Sequence, residues 1–297
     1  MRVIVFVIFL LITAATITYV SENRSHAIVS PIAEGAYTRI LGVFNMKKDP
    51  QTLKKEVTDT IGDSWKNYSV YVTDLNSSFE MGINEHETFT AASVNKLPIL
   101  AVLYNQAQNG KVDFDRIVTL QQEDIQDYGT GSIRYDPPGS TYSVKTLIRL
   151  MMQKSDNTAA FLLGNYIVDL PTVQSTIDRW GLTQTDMVNN TTSNTDMALL
   201  LTKIYRGNVA NPSGTAEMLG FLKDSDFEDR LPGKLPGGVV VYHKIGSGET
   251  GEVHDVGIVV HGNTKYYVGI LTTNVGDPDT AATLLAKISR KIYDFMN

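Results

Sequence analysis

Apolar and polar positions follow three regimes along the chain. Residues 3–20, after Met1 and Arg2, carry no charge. That length is about what a bilayer core requires, and it exceeds the roughly 7–15 residues of a typical signal-peptide core. It predicts a transmembrane anchor or signal peptide over residues 1–20. Ala14-Ala15 offers small residues for cleavage, without a clear A-x-A pattern. Arg2 on the short side puts the N-terminus in the cytoplasm, so the remainder is expected outside, on the cell membrane or secreted after cleavage. Residues 21–48 lack an amphipathic period and read as a linker. A folded domain is expected over 49–297.

Within that domain the period alternates between helix and strand. Asp49-Pro50 reads as the cap and first residue of a helix running to about Ile61. Residues 68–72 read as a strand, Asn76-Ser77-Ser78 as a turn and 79–83 as a second strand. The apolar run 99–104 predicts a buried helix that begins around Ser93 and ends near Asn109-Gly110. Residues 111–142 read mostly as loop. Helical periods follow at 144–153, 157–167, 171–180, 196–205 and 214–223. Strands return at 239–244, 256–260 and 266–271, and a helix over 279–293 closes the chain. The economical fold is α/β (α+β): an antiparallel sheet built from both ends, packed with helices, with a helical subdomain inserted.

Composition narrows the function. The 297 residues are 42% hydrophobic and 20% charged, as in ordinary globular proteins. A net charge of −6 without a Lys/Arg cluster argues against nucleic acid as a partner. The absence of cysteine removes disulfides and thiolate metal sites. His26, His86, His243, His254 and His261 are scattered and form no H-x-x-x-H pair, so neither a zinc site nor another cofactor is expected. Nothing in the sequence calls for an oligomer, and a monomeric domain is expected.

Three segments carry candidate chemistry. Ser93-Val94-Asn95-Lys96 puts a hydroxyl and an amine one helical turn apart. A partly desolvated lysine amine has a lowered pKa and can take the serine proton. Ser155-Asp156-Asn157 offers a hydroxyl that can relay a proton and an amide that can hold both a substrate carbonyl and the Lys96 amine. In isolation the same three residues read as a helix cap, with Asp156 holding the turn. Lys244-Ile245-Gly246-Ser247 puts a cation on a strand, followed by small residues that admit a substrate backbone. Lys244 would face a substrate carboxylate, and the N–H groups of Ser247 and Ser93 would form an oxyanion hole. In isolation this segment is an ordinary Gly-containing turn.

Taken in order, S-x-x-K, S-D-N and K-x-G make a set that resembles class A β-lactamases and penicillin-binding proteins, from about residue 50 to the C-terminus. Gly129-Thr130-Gly131-Ser132 and Thr158-Ala159-Ala160 are similar to that family as well. The resemblance implies its α/β sandwich with a helical subdomain, Ser93 as acylated nucleophile, Lys96 as base, and Ser155, Asn157 and Lys244 in the roles argued above. Tyr128 stands where the family often has an aromatic at the pocket mouth.

Two departures modify the expectation. The family's deacylating Glu is missing: residues 180–192 are short and contain Asp186 as their sole acid, which reads as a turn cap. The resemblance is therefore to a short-loop, penicillin-binding-protein-A-like member. Acylation by β-lactams is expected, with slow deacylation, as in a D,D-carboxypeptidase acting on peptidoglycan stem peptides. The alternatives are a β-lactamase with a non-standard base and a non-catalytic peptidoglycan-binding scaffold. Ile245 replaces a family hydroxyl, which Ser247 could supply two residues on. His254 and Lys265 are further sources of charge, with His254 expected at the surface. Glu249 is expected on a solvated rim, and Arg134 and Tyr135 are read as structural.

Overall fold

In the computed structural model, which describes residues 48–297, strands from both ends of that span meet in one sheet. In chain order the elements are α1 (Pro50–Ile61), β1 (Asn67–Asp74), β2 (Glu80–Ile83), β3 (Thr88–Thr90), α2 (Lys96–Gln108), β4 (Ile117–Thr119), β5 (Thr141–Ser143), α3 (Val144–Gln153), α4 (Asn157–Leu162), α5 (Leu170–Trp180), β6 (Thr191–Ser193), α6 (Asn194–Tyr205), α7 (Pro212–Lys223), β7 (Val240–Ser247), β8 (Val253–His261), β9 (Thr264–Thr273) and α8 (Pro278–Met296). The sheet runs β2-β1-β9-β8-β7, antiparallel throughout. The segment expected at 1–20, and the linker but for its last residue, lie outside the described residues. Among the described residues no helix is long and apolar enough to cross a membrane.

The two-residue strand period sorts side chains into two cores. Val70, Val72, Val268 and Ile270 join Leu53 and Val57 of α1 and Leu285 and Ile292 of α8. Tyr71, Tyr267, Val256 and Ile258 face the other way, into the helical subdomain with α2, α3 and α6. Each fully buried Val, Leu or Ile contributes about 1.5–3 kcal/mol relative to exposure. The central strands are therefore apolar on both faces and read as near-continuous runs.

Local signals set the ends. Asp49 accepts from the N–H groups of Gln51 and Thr52, and α2 stops at Asn109 before Gly110 with φ +69°. The expected turn at 76–78 is held by Asp74, which accepts from Asn76 N–H and the Ser77 hydroxyl.

Several expectations need correction. Ser93 lies on a 3₁₀ turn, Ala92–Asn95, and α2 begins only at Lys96. The helix expected at 157–167 is α4 followed by a single π-turn over Leu163–Ile167. The stretch read as loop contains β4, which pairs with β5. The pair β3–β6 went unread because three-residue strands show no measurable period. Helix α7 starts at Pro212, capped by Asn211, two residues earlier than expected.

Candidate active site

The turn that carries Ser93 hangs between two sheets. Strand β3 delivers the chain to Ala91, whose N–H donates to the Asn190 carbonyl. Ala92 then takes φ +48°, a left-handed conformation that a non-glycine residue adopts only when its surroundings hold it there. The 3₁₀ turn aims Ser93 back over α2, which is buried on every side from Lys96 to Tyr104. Gly246 permits the approach: a Cβ there would lie 3.0 Å from the Ala91 carbonyl oxygen.

Lys96 Nζ lies 2.9 Å from Ser93 Oγ, so the sequence's pairing of the two groups holds on a 3₁₀ turn. Nζ donates to the Ser155 carbonyl at 2.6 Å and to Asn157 Oδ1 at 2.7 Å. A neutral amine has two N–H bonds and one lone pair. With both N–H groups engaged, the lone pair is left for the Ser93 hydroxyl. Burial holds the Lys96 pKa down to about 7, against the pull of the Asp156 carboxylate.

The second segment is a loop braced from behind. Ser155 has φ +51°, and Asp156 caps α4 by accepting from Ala159 N–H. Asp156 Oδ2 also accepts from the N–H groups of Ser132 and Ile133, so this buried carboxylate is structural. Gly131, at φ +122°, makes room for it, since a Cβ there would sit 2.4 Å from Asp156 Oδ2. Asn157 Nδ2 donates to the Tyr128 carbonyl, and Arg134 Nη1 donates to the Gly129 carbonyl. These bonds pin the loop that carries Tyr128. Tyr128 is 61% exposed and lines the cavity, whereas Tyr135 projects into solvent, where its hydroxyl accepts from Arg134 Nη2 and its ring lies under that guanidinium, bracing the arginine that pins the loop.

The third segment is the free edge of β7. Lys244 Nζ donates to Ser155 Oγ at 2.9 Å, which places that hydroxyl between two amines, with Lys96 Nζ at 3.2 Å. Burial and the neighbouring Lys96 hold the Lys244 pKa well below its ordinary value. Ile245 is buried, and Ser247 is exposed on the rim. Ser247 Oγ accepts from Arg230 Nη2 at 2.6 Å.

Sequence reasoning missed Arg230. Its guanidinium is buried behind the edge and also donates to the carbonyls of Gly246 and His254. Its neighbours, Asp229 and Leu231-Pro232-Gly233, give no local sign of this role.

A cavity of about 740 Å³ joins these groups. Ser93, Lys96, Tyr128, Ser155, Asn157 and Ser247 all line it. Its rim on the β7–β8 turn carries Glu249, exposed as expected, and the buried Glu252. The short loop contributes Asn190 to the cavity and no acid. Asp186 accepts from the N–H groups of Asn189 and Val188 and from the Asn189 amide, and these bonds lower its pKa. It is the turn cap that the sequence suggested. Two expectations about charge fail. His254 is fully buried, and Lys265 sits at the β8–β9 hairpin, at the opposite end of the sheet.

Comparison with known proteins agrees with this geometry. The family model described as "Beta-lactamase enzyme family" matches residues 52–296. The extended-spectrum β-lactamase PER-1 of Pseudomonas aeruginosa is 24% identical over 237 residues, covering 72% of this chain and 77% of its own. Among solved structures, PBP-A is 26% identical, with a TM-score of 0.75 over 82% of this chain and 95% of its own. A mutant of PBP-A, determined as an acyl-enzyme complex with penicillin G, is 25% identical, with a TM-score of 0.75 over 82% of this chain and 96% of its own. A β-lactamase from Chitinophaga pinensis shares the fold at 21% identity and a TM-score of 0.77, over 83% of this chain and all of its own. This chain belongs to the β-lactamase enzyme family and is a serine hydrolase.

Proposed function

We propose that the domain is a D,D-peptidase of the cell envelope, acylated at Ser93 by peptidoglycan stem peptides and by β-lactams, with slow release of the β-lactam adduct. The supporting observation is a contrast within one cavity. Ser93, Lys96, Ser155 and Lys244 form one hydrogen-bonded chain in that order, whereas Asp186, the acid of the short loop, is spent on its own turn.

In the proposed reaction Lys96 Nζ takes the Ser93 proton as Oγ bonds to the substrate carbonyl carbon. The N–H groups of Ser93 and Ser247 receive the developing oxyanion. As the carbon–nitrogen bond breaks, the Ser155 hydroxyl gives its proton to the leaving nitrogen and is reprotonated from the lysine pair. Asn157 holds the acyl-side amide, and Tyr128 walls the mouth of the cavity. Lys244 meets the substrate carboxylate, with Ser247 and Arg230 behind it supplying the hydroxyl and charge that Ile245 lacks. Water then hydrolyses the ester and frees Ser93. The apolar stretch at residues 3–20 would tether the domain to the outer face of the membrane, where peptidoglycan lies.

Intact mass through time with penicillin tests this reading. A stable adduct on Ser93, together with release of D-alanine from a stem-peptide substrate, is expected. Rapid turnover of nitrocefin with no adduct would favour a second reading, a β-lactamase whose base lies elsewhere. That reading draws on Glu252, the buried carboxylate lining the cavity. Absence of any adduct, with Ser93→Ala indistinguishable from the parent, would point to a scaffold.

A further inference from the structure

His254 lies fully buried beneath the active site, and no step proposed above uses it. It sits on β8 directly across from Gly246, one residue before Ser247 on the free edge. Its Cδ2 would stand only 3.0 Å from a Cβ on Gly246, so the ring packs against the strand edge. Its Nε2 lies 2.8 Å from the Thr90 carbonyl, at the end of the strand that delivers Ser93. Its Nδ1 accepts from the Thr272 N–H at 3.2 Å. The described register of β8 with β9 starts at Asp255 opposite Ile270, so Thr272 lies past the end of that pairing. Its own carbonyl accepts from Arg230, which also holds Ser247 Oγ.

These contacts fix one protonation state. Nε2 must carry hydrogen to donate to Thr90, and Nδ1 must be bare to accept from Thr272. A second proton would set a donor against the Thr272 N–H. Burial, which holds the pKa down to about 4, keeps the ring neutral through the physiological range. A neutral imidazole thus ties three parts together: the Thr90 end of β3, the Gly246–Ser247 edge and the Thr272 end of β9.

We propose that His254 is a positioning residue for acyl transfer, setting the distance between the two halves of the anion hole by clamping the Ser93 turn to the Ser247 strand edge. Ala92 makes such a clamp necessary, because its left-handed φ of +48° persists only under restraint. Acyl transfer tolerates little slack, and a misplacement of about 1 Å can cost on the order of 10²-fold in rate. The inference rests on Ser93 being the acylated residue.

The test compares His254→Leu, which keeps bulk but loses both bonds, with His254→Gln, which can donate to Thr90 and accept from Thr272. Rates are read with a fluorescent penicillin, separating the acylation rate constant from the non-covalent dissociation constant. They are also read with a fluorophosphonate, which requires the nucleophile and anion hole but no peptide recognition. We expect the Leu variant to acylate about 10²-fold more slowly at saturation, with non-covalent binding little changed. The Gln variant should recover most of that rate. A folded Leu variant that matches the parent overturns the inference. If the Leu variant does not fold, His254→Asn replaces it, being too short to reach both partners, and Asn and Gln variants of equal rate overturn it. If penicillin fails to label the parent while the fluorophosphonate succeeds, the D,D-peptidase reading falls, and the phosphonylation rates still decide the role of His254. If neither reagent labels Ser93, both readings fall.

Discussion

Two walls of one cavity differ sharply. On one, Ser93, Lys96 and Ser155, with the buried Lys244 behind them, stand in a hydrogen-bonded chain with links of 3.2 Å or less, and the two amines are withdrawn from solvent. On the other, the short loop presents Asn190, and its sole acid, Asp186, is bonded into its own turn. The first wall has the groups that the proposed ester-forming step needs, a hydroxyl with a partly desolvated amine beside it. The second lacks what rapid ester hydrolysis needs, a base within reach of a water. On the proposed reading, acylation and deacylation are therefore separable properties, carried by different segments of chain.

The contrast can be broken most completely at the first wall. Ser93→Ala should abolish covalent labelling, by about 10³-fold or more, as read by intact mass. Lys96→Gln, which removes the amine but keeps polar contacts, should slow acylation by about 10²–10⁴-fold. The parent's acylation rate should also rise with pH through about 7, because the amine must be free to take the proton and burial holds its pKa there. Below that pH the rate should fall about tenfold per unit, and the Gln variant should lose this dependence.

The second wall sharpens the comparison from the opposite side. Asn190 lines the cavity at φ +52°, and its Oδ1 accepts from Asn95 Nδ2 at 2.9 Å. Asn190→Asp keeps that bond and tolerates that backbone while introducing a carboxylate. Loss of the penicillin adduct should accelerate about tenfold, below the full reach of general-base catalysis because the side chain is short. Arg230→Lys cannot serve Ser247, Gly246 and His254 together, since it lacks the planar fork. It should weaken non-covalent binding of carboxylated penicillins several-fold, with the acylation rate constant largely kept. Smallest of all, Asp186→Ala should lower the melting temperature by only a few degrees and leave acylation unchanged, as befits a turn cap.

The residues proposed to do the chemistry were legible early because they come in short, rigid words. Ser93 and Lys96 are three residues apart, and no tertiary contact is needed to bring them together. Ser155 and Asn157 flank Asp156, which caps the helix it begins. Arg230 and His254 gave no such signal. Arg230 acts on Gly246, Ser247 and His254, 16 to 24 residues away, and His254 acts on Thr90, 164 residues away. The expected exposure of His254 failed because histidine is indifferent to burial, and only the packing of β8 under the Ser93 turn decided it.

What this sequence settled unaided is the set of things that depend on near neighbours. These are the strand and helix periods, the caps at Asp49 and Asn109, the Lys96 amine beside the Ser93 hydroxyl and the missing Glu in the short loop. They follow from side-chain direction and backbone sterics over a few residues. Tertiary structure alone decided that one hydroxyl, Ser155, stands between two lysines from distant segments, that Arg230 rather than Lys265 reaches the strand edge, and that Asn190 rather than Asp186 faces the cavity. Those outcomes depend on how the two cores stack across the sheet, where close packing selects one arrangement from many that the same local patterns permit.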